Sequence, residues 1–401
     1  MPWEAGPSAD LLDATDGLDR LALATPLLGA TGWIDTLGRL VATPQPTGEA
    51  LRDTLRDMLA PLGFGLRALP GGEGPPSLVA ARRTGRPPCT LLFPLGLAAP
   101  GPGWRRPPHA LTRHGDRLHG HGIAQVKGAI AATWAALCVA DAVGLRLRHD
   151  PVLLFTPDAP SGPGEALRSL LRQGHLSGEL AGPLLHLGGL AGPRRWAGAP
   201  GSLEVEIRVS AASAAAAAQA ARPVLARLME LRAELGTRAA PGAEPVPRLS
   251  VLSVQALPES GDAPAACLLR LQRRFDAAEG AAAAEAGLRH LLAEMPEAGA
   301  LALRRLSLQP AAATPAEGAP LLRWEQALRW GFGYGPQPFR PYACSEPSPL
   351  GHASDAGLVD LLQGGLLRQG QASGAAEEST TVEEVEALSR SLLAFLSEAA
   401  P

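Results

Sequence analysis

Residues 101–132 read GPGWRRPPHALTRHGDRLHGHGIAQVKGAIAA. Two characters meet in this stretch. Up to Gly122 it is rich in glycine, proline, arginine and histidine and has no apolar period, which reads as a long loop. From about Val126 small and apolar residues run on to Val143, which reads as a buried helix. Its most apolar part, Gly128 to Ala140, ends at Asp141 and is too short to cross a bilayer. Lys127 stands at the joint. It is the only lysine in the chain; every other basic residue is an arginine.

Strands and helices alternate on both sides of this joint. Before it, WIDTLGRLVATP and TGEALRDTLRDMLAPLGF carry apolar residues at helical spacing, the second helix capped by Thr47 with Glu49 behind it. PSLVAAR and PCTLLFPLGL read as strands, the latter a continuous apolar run suited to a strand buried on both faces. After it come the apolar strand DPVLLFTPDAP, the helix GEALRSLLRQG and the strand GPLLHLGG. This alternation predicts a mostly parallel α/β sheet.

The pattern changes near Pro200. SLEVEIRVS alternates polar and apolar residues. An alanine-rich helix with a proline-marked break near Pro223 follows, then RLSVLSVQAL, AACLLRLQRRF, the helix AAAAEAGLRHLLAEM and LALRRLSLQP. The order β-α-β-β-α-β is ferredoxin-like. From Ala319 the chain returns to helix, loop, short strands and a last amphipathic helix, VEEVEALSRSLLAFL. The expected division is an extension at 1–30, an α/β domain at 31–198 and 312–401, and an inserted α+β domain at 199–311.

Composition excludes several classes. Of 401 residues, 36 are basic and 39 acidic, for a net charge of −3, and the charges are spread out. That argues against a nucleic-acid groove or a polybasic membrane anchor. The four cysteines, at 89, 138, 267 and 344, are far apart with no C-x-x-C pair, which fits a reduced, cytoplasmic setting. The first residues carry no basic and then apolar signal pattern. No G-x-S-x-G nucleophile elbow, P-loop or dinucleotide fingerprint occurs.

The order of elements and three local strings resemble one family: the dinuclear zinc amidohydrolases and exopeptidases typified by acetylornithine deacetylase, succinyl-diaminopimelate desuccinylase and aminoacylase. Trp104, Pro108, Gly115, Leu118, Gly120, Gly122, Lys127 and Gly128 fall on the family string P-x-x-x-W-x-x-x-P-F-x-x-x-x-x-x-G-x-L-x-G-R-G-x-x-D-M-K-G-G. LLFTPDAPSG resembles its T-x-D-E-E-x-G strand end, and EESTTVEEVEAL its C-terminal acidic string. The resemblance implies a zinc-exopeptidase-like catalytic domain with a mixed, mostly parallel sheet, interrupted by a ferredoxin-like lid that dimerises. It also implies amide hydrolysis with two zinc or cobalt ions.

The residues that such chemistry needs are replaced. A two-metal site needs nitrogen and oxygen ligands, a bridging carboxylate and a carboxylate base. The family's H-x-D pair falls on Leu95 and Leu97, and its bridging aspartate on Gln125. In the Asp-Glu-Glu string Asp158 is kept, but the base falls on Ala159 and the next ligand on Pro160. The remaining ligands fall near Gly188 and Gly374, and the lid histidine in SAASA. The expectation is a chain without bound metal and without the family's activity, which binds a partner through the lid, as homodimer or heterodimer, or a small amino-acid-like ligand. The alternative is an active amide hydrolase with a rebuilt site.

Other residues are candidates for binding. His114, His119 and His121 cluster in the loop, as a relocated metal site or as a polar rim, with His121 where the family has arginine and His109 where it has phenylalanine. Lys127 is a partner for Asp158 or a surface lysine at a helix start; the resemblance implies a supporting role for it, holding the catalytic-domain loop rather than doing chemistry. Arg274 resembles a lid arginine that contacts a ligand carboxylate or holds the fold. Asp355, in GHASDAG, resembles a residue at the site rim or caps a helix.

Overall fold

The computed structural model describes residues 17–43, 48–70, 74–159, 164–176, 178–238, 247–260, 264–296, 298–314, 317–368 and 376–399. It divides into two compact units. One comprises Met1–Trp196, Thr314–Pro341 and Leu358–Pro401; the other comprises Ala197–Ala313 and Tyr342–Gly357.

The first unit is built on a six-stranded sheet. Its strands run in the order Gly65–Leu69, Ser77–Ala81, Asp150–Thr156, Pro88–Pro94, Leu184–His186 and Leu361–Gln363. The last four are mutually parallel, and the first two add an antiparallel edge. The fold class read from the sequence therefore holds: a mixed, mostly parallel sheet. PCTLLFP lies at the centre of the sheet, all but its first residue buried, as a continuous apolar run requires. The edge strand GLRAL escapes the sequence reading because it is short and mostly exposed.

The helix Gly128–Ala142 is apolar all round and buried nearly throughout. It is continuous with the turn before it, and the span Ile123–Ala142 is long and apolar enough to cross a membrane, but 89% of its apolar window is buried inside the protein. It packs beside Trp33–Val41 and the C-terminal helix Val382–Leu396. The C-terminal helix starts with a capping box, Thr381 taking the Glu384 N–H and Glu384 the Thr381 N–H. Arg323 ends it, donating to the carbonyls of Ala394, Phe395, Ser397 and Ala399. Within 1–30, the helix Gly17–Leu27 and the following turn bury Leu21, Ala24 and Leu28 in the same core. The expected cap Thr47 lies outside the described residues; Gly48 occupies the N-cap of Glu49–Leu59 without a side-chain cap.

The second unit carries an antiparallel sheet in the order Arg248–Leu257, Ala266–Phe275, Gly201–Ser210 and Leu301–Gln309. The helices Ala214–Arg238 and Gly280–Ala293 pack on it. This is the ferredoxin-like arrangement. The break expected at Pro223 is absent: the helix runs on for 25 residues through it. Pro223 and Gln219, whose carbonyl loses its partner, both face solvent, where water replaces the missing N–H.

Candidate functional site

The loop 101–122 ends in a sharp turn at Gly122, whose φ is +76°. A Cβ there would stand 2.3 Å from Leu97 Cδ1, so both the backbone angle and the space demand glycine. One π-helical turn, Ile123–Lys127, follows and leads into the long helix. Its free N–H groups meet a single carboxylate. Glu378, with no exposed surface, accepts from Gly122 N (3.0 Å), Ala124 N (2.8 Å) and Gln125 N (3.0 Å). The Gln125 amide approaches it at 3.5 Å. An anion at the start of a helix satisfies unpaired donors and the local dipole together. Burial pushes the Glu378 carboxyl above its ordinary range, opposed by the three N–H groups and by Lys127.

Lys127 is buried beside this carboxylate. Its ammonium donates to the carbonyls of Thr43 (3.1 Å) and Val41 (3.4 Å), fixing the end of the helix Trp33–Val41. Burial lowers its pKa to about 8, with the Glu378 charge opposing. Lys127 is thus a buried lysine bonded to backbone, not a surface one. Asp158 is buried as well, and its two carboxylate oxygens take the N–H groups of Ala166 (2.9 Å) and Leu167 (3.0 Å) at the start of the helix Glu165–Arg172.

Glu377 precedes Glu378 and ties down the far end of the loop. It accepts from Arg105 N, Arg106 N and the Arg106 guanidinium. Among the described residues it is the only non-glycine at positive φ, +60°. The two glutamates therefore hold both ends of the loop by its backbone. Their partners lie more than 250 residues away in sequence.

The positions where the resemblance calls for metal ligands have a different character. Leu95 is buried in the apolar core, and its N–H bonds to Thr156 O at 2.7 Å. Leu97 packs against the same core and over Gly122. Gln125 is buried beside Glu378, and Ala159 is half-buried. Pro160 and Gly374 lie outside the described residues. Among the described residues no three His, Cys, Asp or Glu side chains gather as a metal site would need. A pair of zinc or cobalt ions does not fit this donor set: leucine and alanine supply no lone pair, and a neutral amide brings no bridging charge.

Nor do His114, His119 and His121 form a metal-ligating group among the described residues. His114 is exposed. His119 points toward the Glu377 carboxylate, 4.0 Å away. His121 bonds through Nε2 to the Ala98 carbonyl at 2.8 Å and lies edge-on to Trp104 and His109. In the second unit Arg274 pairs in a fork with Glu346 and also donates to Ser345 O. Asp355 is exposed at the last turn of Leu350–Asp355, so it does not cap a helix start.

Another buried histidine escapes the sequence reading. His186 ends the strand Leu184–His186 with no exposed surface, its Nδ1 3.1 Å from the Gln363 amide. Burial lowers its pKa to about 4. A histidine inside an apolar strand is the one signal the sequence offers for it.

No family model matches the chain. It is 36% identical over 107 residues to succinyl-diaminopimelate desuccinylase of Novosphingobium aromaticivorans, a match covering 25% of the chain and 28% of that relative. It is 31% identical over 122 residues to N-acetyl-L-citrulline deacetylase of Xanthomonas campestris pv. campestris, covering 30% of each. The chain thus spans about a third or less of the length of the curated relatives it matches. Among solved structures, human carnosine dipeptidase 1 superposes with a TM-score of 0.63 at 15% identity, over 98% of this chain and 99% of that one. A dinuclear metal-binding peptidase of the M20 family from Bacillus subtilis superposes at 0.61 and 13% identity, over 91% and 97%. The fold is that of the M20 metallopeptidases, and about a quarter to a third of the chain is similar in sequence to succinyl-diaminopimelate desuccinylases and to N-acetyl-L-citrulline deacetylase.

Proposed function

We propose that this protein is a non-catalytic relative of these amide hydrolases, acting by binding a partner subunit or a small amino-acid-like ligand. One observation carries the reading. Leu95 and Leu97 stand packed in the core where the family's first ligands would be. Water activation by two dications needs anionic and imidazole donors there, and hydrocarbon provides none. In this reading 31–198 and 312–401 form the catalytic-like domain, 199–311 the lid and dimerisation domain, and 1–30 an extension.

The lid sheet supports the partner-binding side. Its two edges are unlike. Leu301–Gln309 carries Arg304 and Arg305, charges that discourage strand addition. Arg248–Leu257 has no charge after Arg248, and Leu252 and Val254 are half exposed. Such an edge suits pairing with a strand of a second subunit. Four free cysteines are in keeping with a cytoplasmic location.

Metal analysis of the purified protein, together with assays on N-succinyl and N-acetyl amino acids, tests the reading. The expected result is far less than one zinc or cobalt per chain and no hydrolysis. Stoichiometric metal with hydrolysis overturns it and favours a rebuilt active site. Thermal shifts against acylated amino acids and dipeptides then separate ligand binding from partner binding, because a ligand specific to the folded state raises its stability.

A further inference from the structure

His109, His114, His119 and His121 are four of the chain's nine histidines, gathered within 13 residues of one loop. We propose that the segment 104–121 is a proton-operated latch, closed while His109 and His121 are neutral and released from the body of the first unit when they are protonated. The proposal does not depend on whether the protein hydrolyses anything.

The geometry around His121 carries it. The ring is 2% exposed. It lies between Trp104, 6.5 Å away between centroids, and His109, 5.5 Å away, both edge-on. The Ala98 carbonyl can only accept, so Nε2 holds the proton and Nδ1 of the neutral ring is a bare lone pair. That nitrogen, Nδ1 of His109 and Nε1 of Trp104 are buried with no hydrogen-bond partner. A proton added at His121 Nδ1 therefore meets no acceptor.

The charges acting on these rings are unfavourable to a cation. Lys127, from the π-helical turn, lowers the pKa of both and His109 lowers that of His121, while the bond to the Ala98 carbonyl raises the pKa of His121. Burial is the largest influence, and it lowers the pKa of each. The carboxylates near the loop are already engaged. Glu378 takes the three turn N–H groups, and Glu377 takes Arg105 and Arg106. His119 faces Arg106 and Arg117 but also Glu377, so its protonation is partly compensated. The rest of the segment is held by a small sheet, in which 117–119 pairs with 112–114 on one side and with Ser379–Thr381 on the other, and by the backbone bonds His121 N to Pro108 O, Gly120 N to Glu378 O and Val382 N to Asp116 O. None of these contacts loses a partner when an imidazole gains a proton.

The sign follows from linkage. A histidine with an ordinary pKa near 6.5 in the open loop and a lower one in the closed loop binds more protons when open. Falling pH then favours opening, by at most about tenfold per ring at pH 5.5 and at most about a hundredfold for the pair.

Amide hydrogen exchange on the full chain at pH 7.5 and 5.5, corrected for intrinsic exchange, tests the latch. Wild type is expected to lose protection in 104–121 at pH 5.5, by up to about 100-fold, while Gly128–Ala142 keeps its own. The double variant His109→Phe, His121→Gln is expected to show the same protection at both pH values, whatever its absolute level. An unchanged wild type overturns the proposal. So does a pH-dependent loss that survives in the double variant, which assigns it to Glu378 or His119. A loss spread equally over the long helix also overturns it, because the opening is then global.

Discussion

Two sets of residues in the first unit have different chemistry. One set, Glu378, Lys127, Glu377 and Gly122, acts on backbone: it fills N–H groups, holds carbonyls or permits a turn. The other, Leu95, Leu97, Gln125 and Ala159, occupies the places where the family resemblance calls for metal ligands, and it is apolar or neutral. The difference teaches that the loop's architecture is self-supporting. Its buried charges are matched by main-chain dipoles, so no metal is needed to neutralise them.

Removing the carboxylate at the centre of the first set is expected to have the largest effect. Glu378→Ala leaves three buried N–H groups unpaired and should cost about 3–5 kcal/mol in urea unfolding, with Glu378→Gln intermediate. Equal stability of the two variants would mean that solvent already reaches the turn. Gly122→Ala forces a side chain into the left-handed region and onto Leu97, for a loss of about 2–3 kcal/mol by thermal or urea melts.

Lys127 separates charge from packing. Its folded pKa, about 8, lies below the ordinary 10.5, so the unfolded chain holds its proton over that window and stability rises with pH there. Between pH 7 and 9.5 the advantage of wild type over Lys127→Met should grow by about 2 kcal/mol. The comparison between the two proteins is essential. The buried thiols of Cys89 and Cys138, pushed up to about 12, pull both curves downward above pH 9. A difference that stays flat with pH would show that Lys127 is solvated. The smallest expected change in stability, under about 0.5 kcal/mol, comes from Leu252→Lys with Val254→Lys on the edge strand Arg248–Leu257. The same pair should abolish any self-association seen by sedimentation; persistence of a dimer would move the interface elsewhere.

The sheet and the joint at Lys127 were legible because they rest on local period and on glycine and lysine at fixed spacing. The roles of Glu377 and Glu378 were not. Their acidic pair aligns the C-terminal string, but nothing near residue 378 in sequence says that its partners are the N–H groups of 122–125. Lys127 likewise reveals its position but not its partners, the carbonyls at Val41 and Thr43. The strand Gly65–Leu69 and the unbroken helix across Pro223 depended on which face meets water, and that is set by neighbours distant in the chain.

The lone lysine has one more consequence. Because all other basic side chains are arginines, the protein carries a single side-chain amine, and that amine is buried under Gly122 and bonded to two carbonyls. An amine-selective acylating reagent or a lysine-specific protease therefore has one side-chain target in the whole chain, shielded while the turn is intact. The rate at which that target is consumed is a built-in clock for the opening of this part of the molecule, readable by mass without introducing any label.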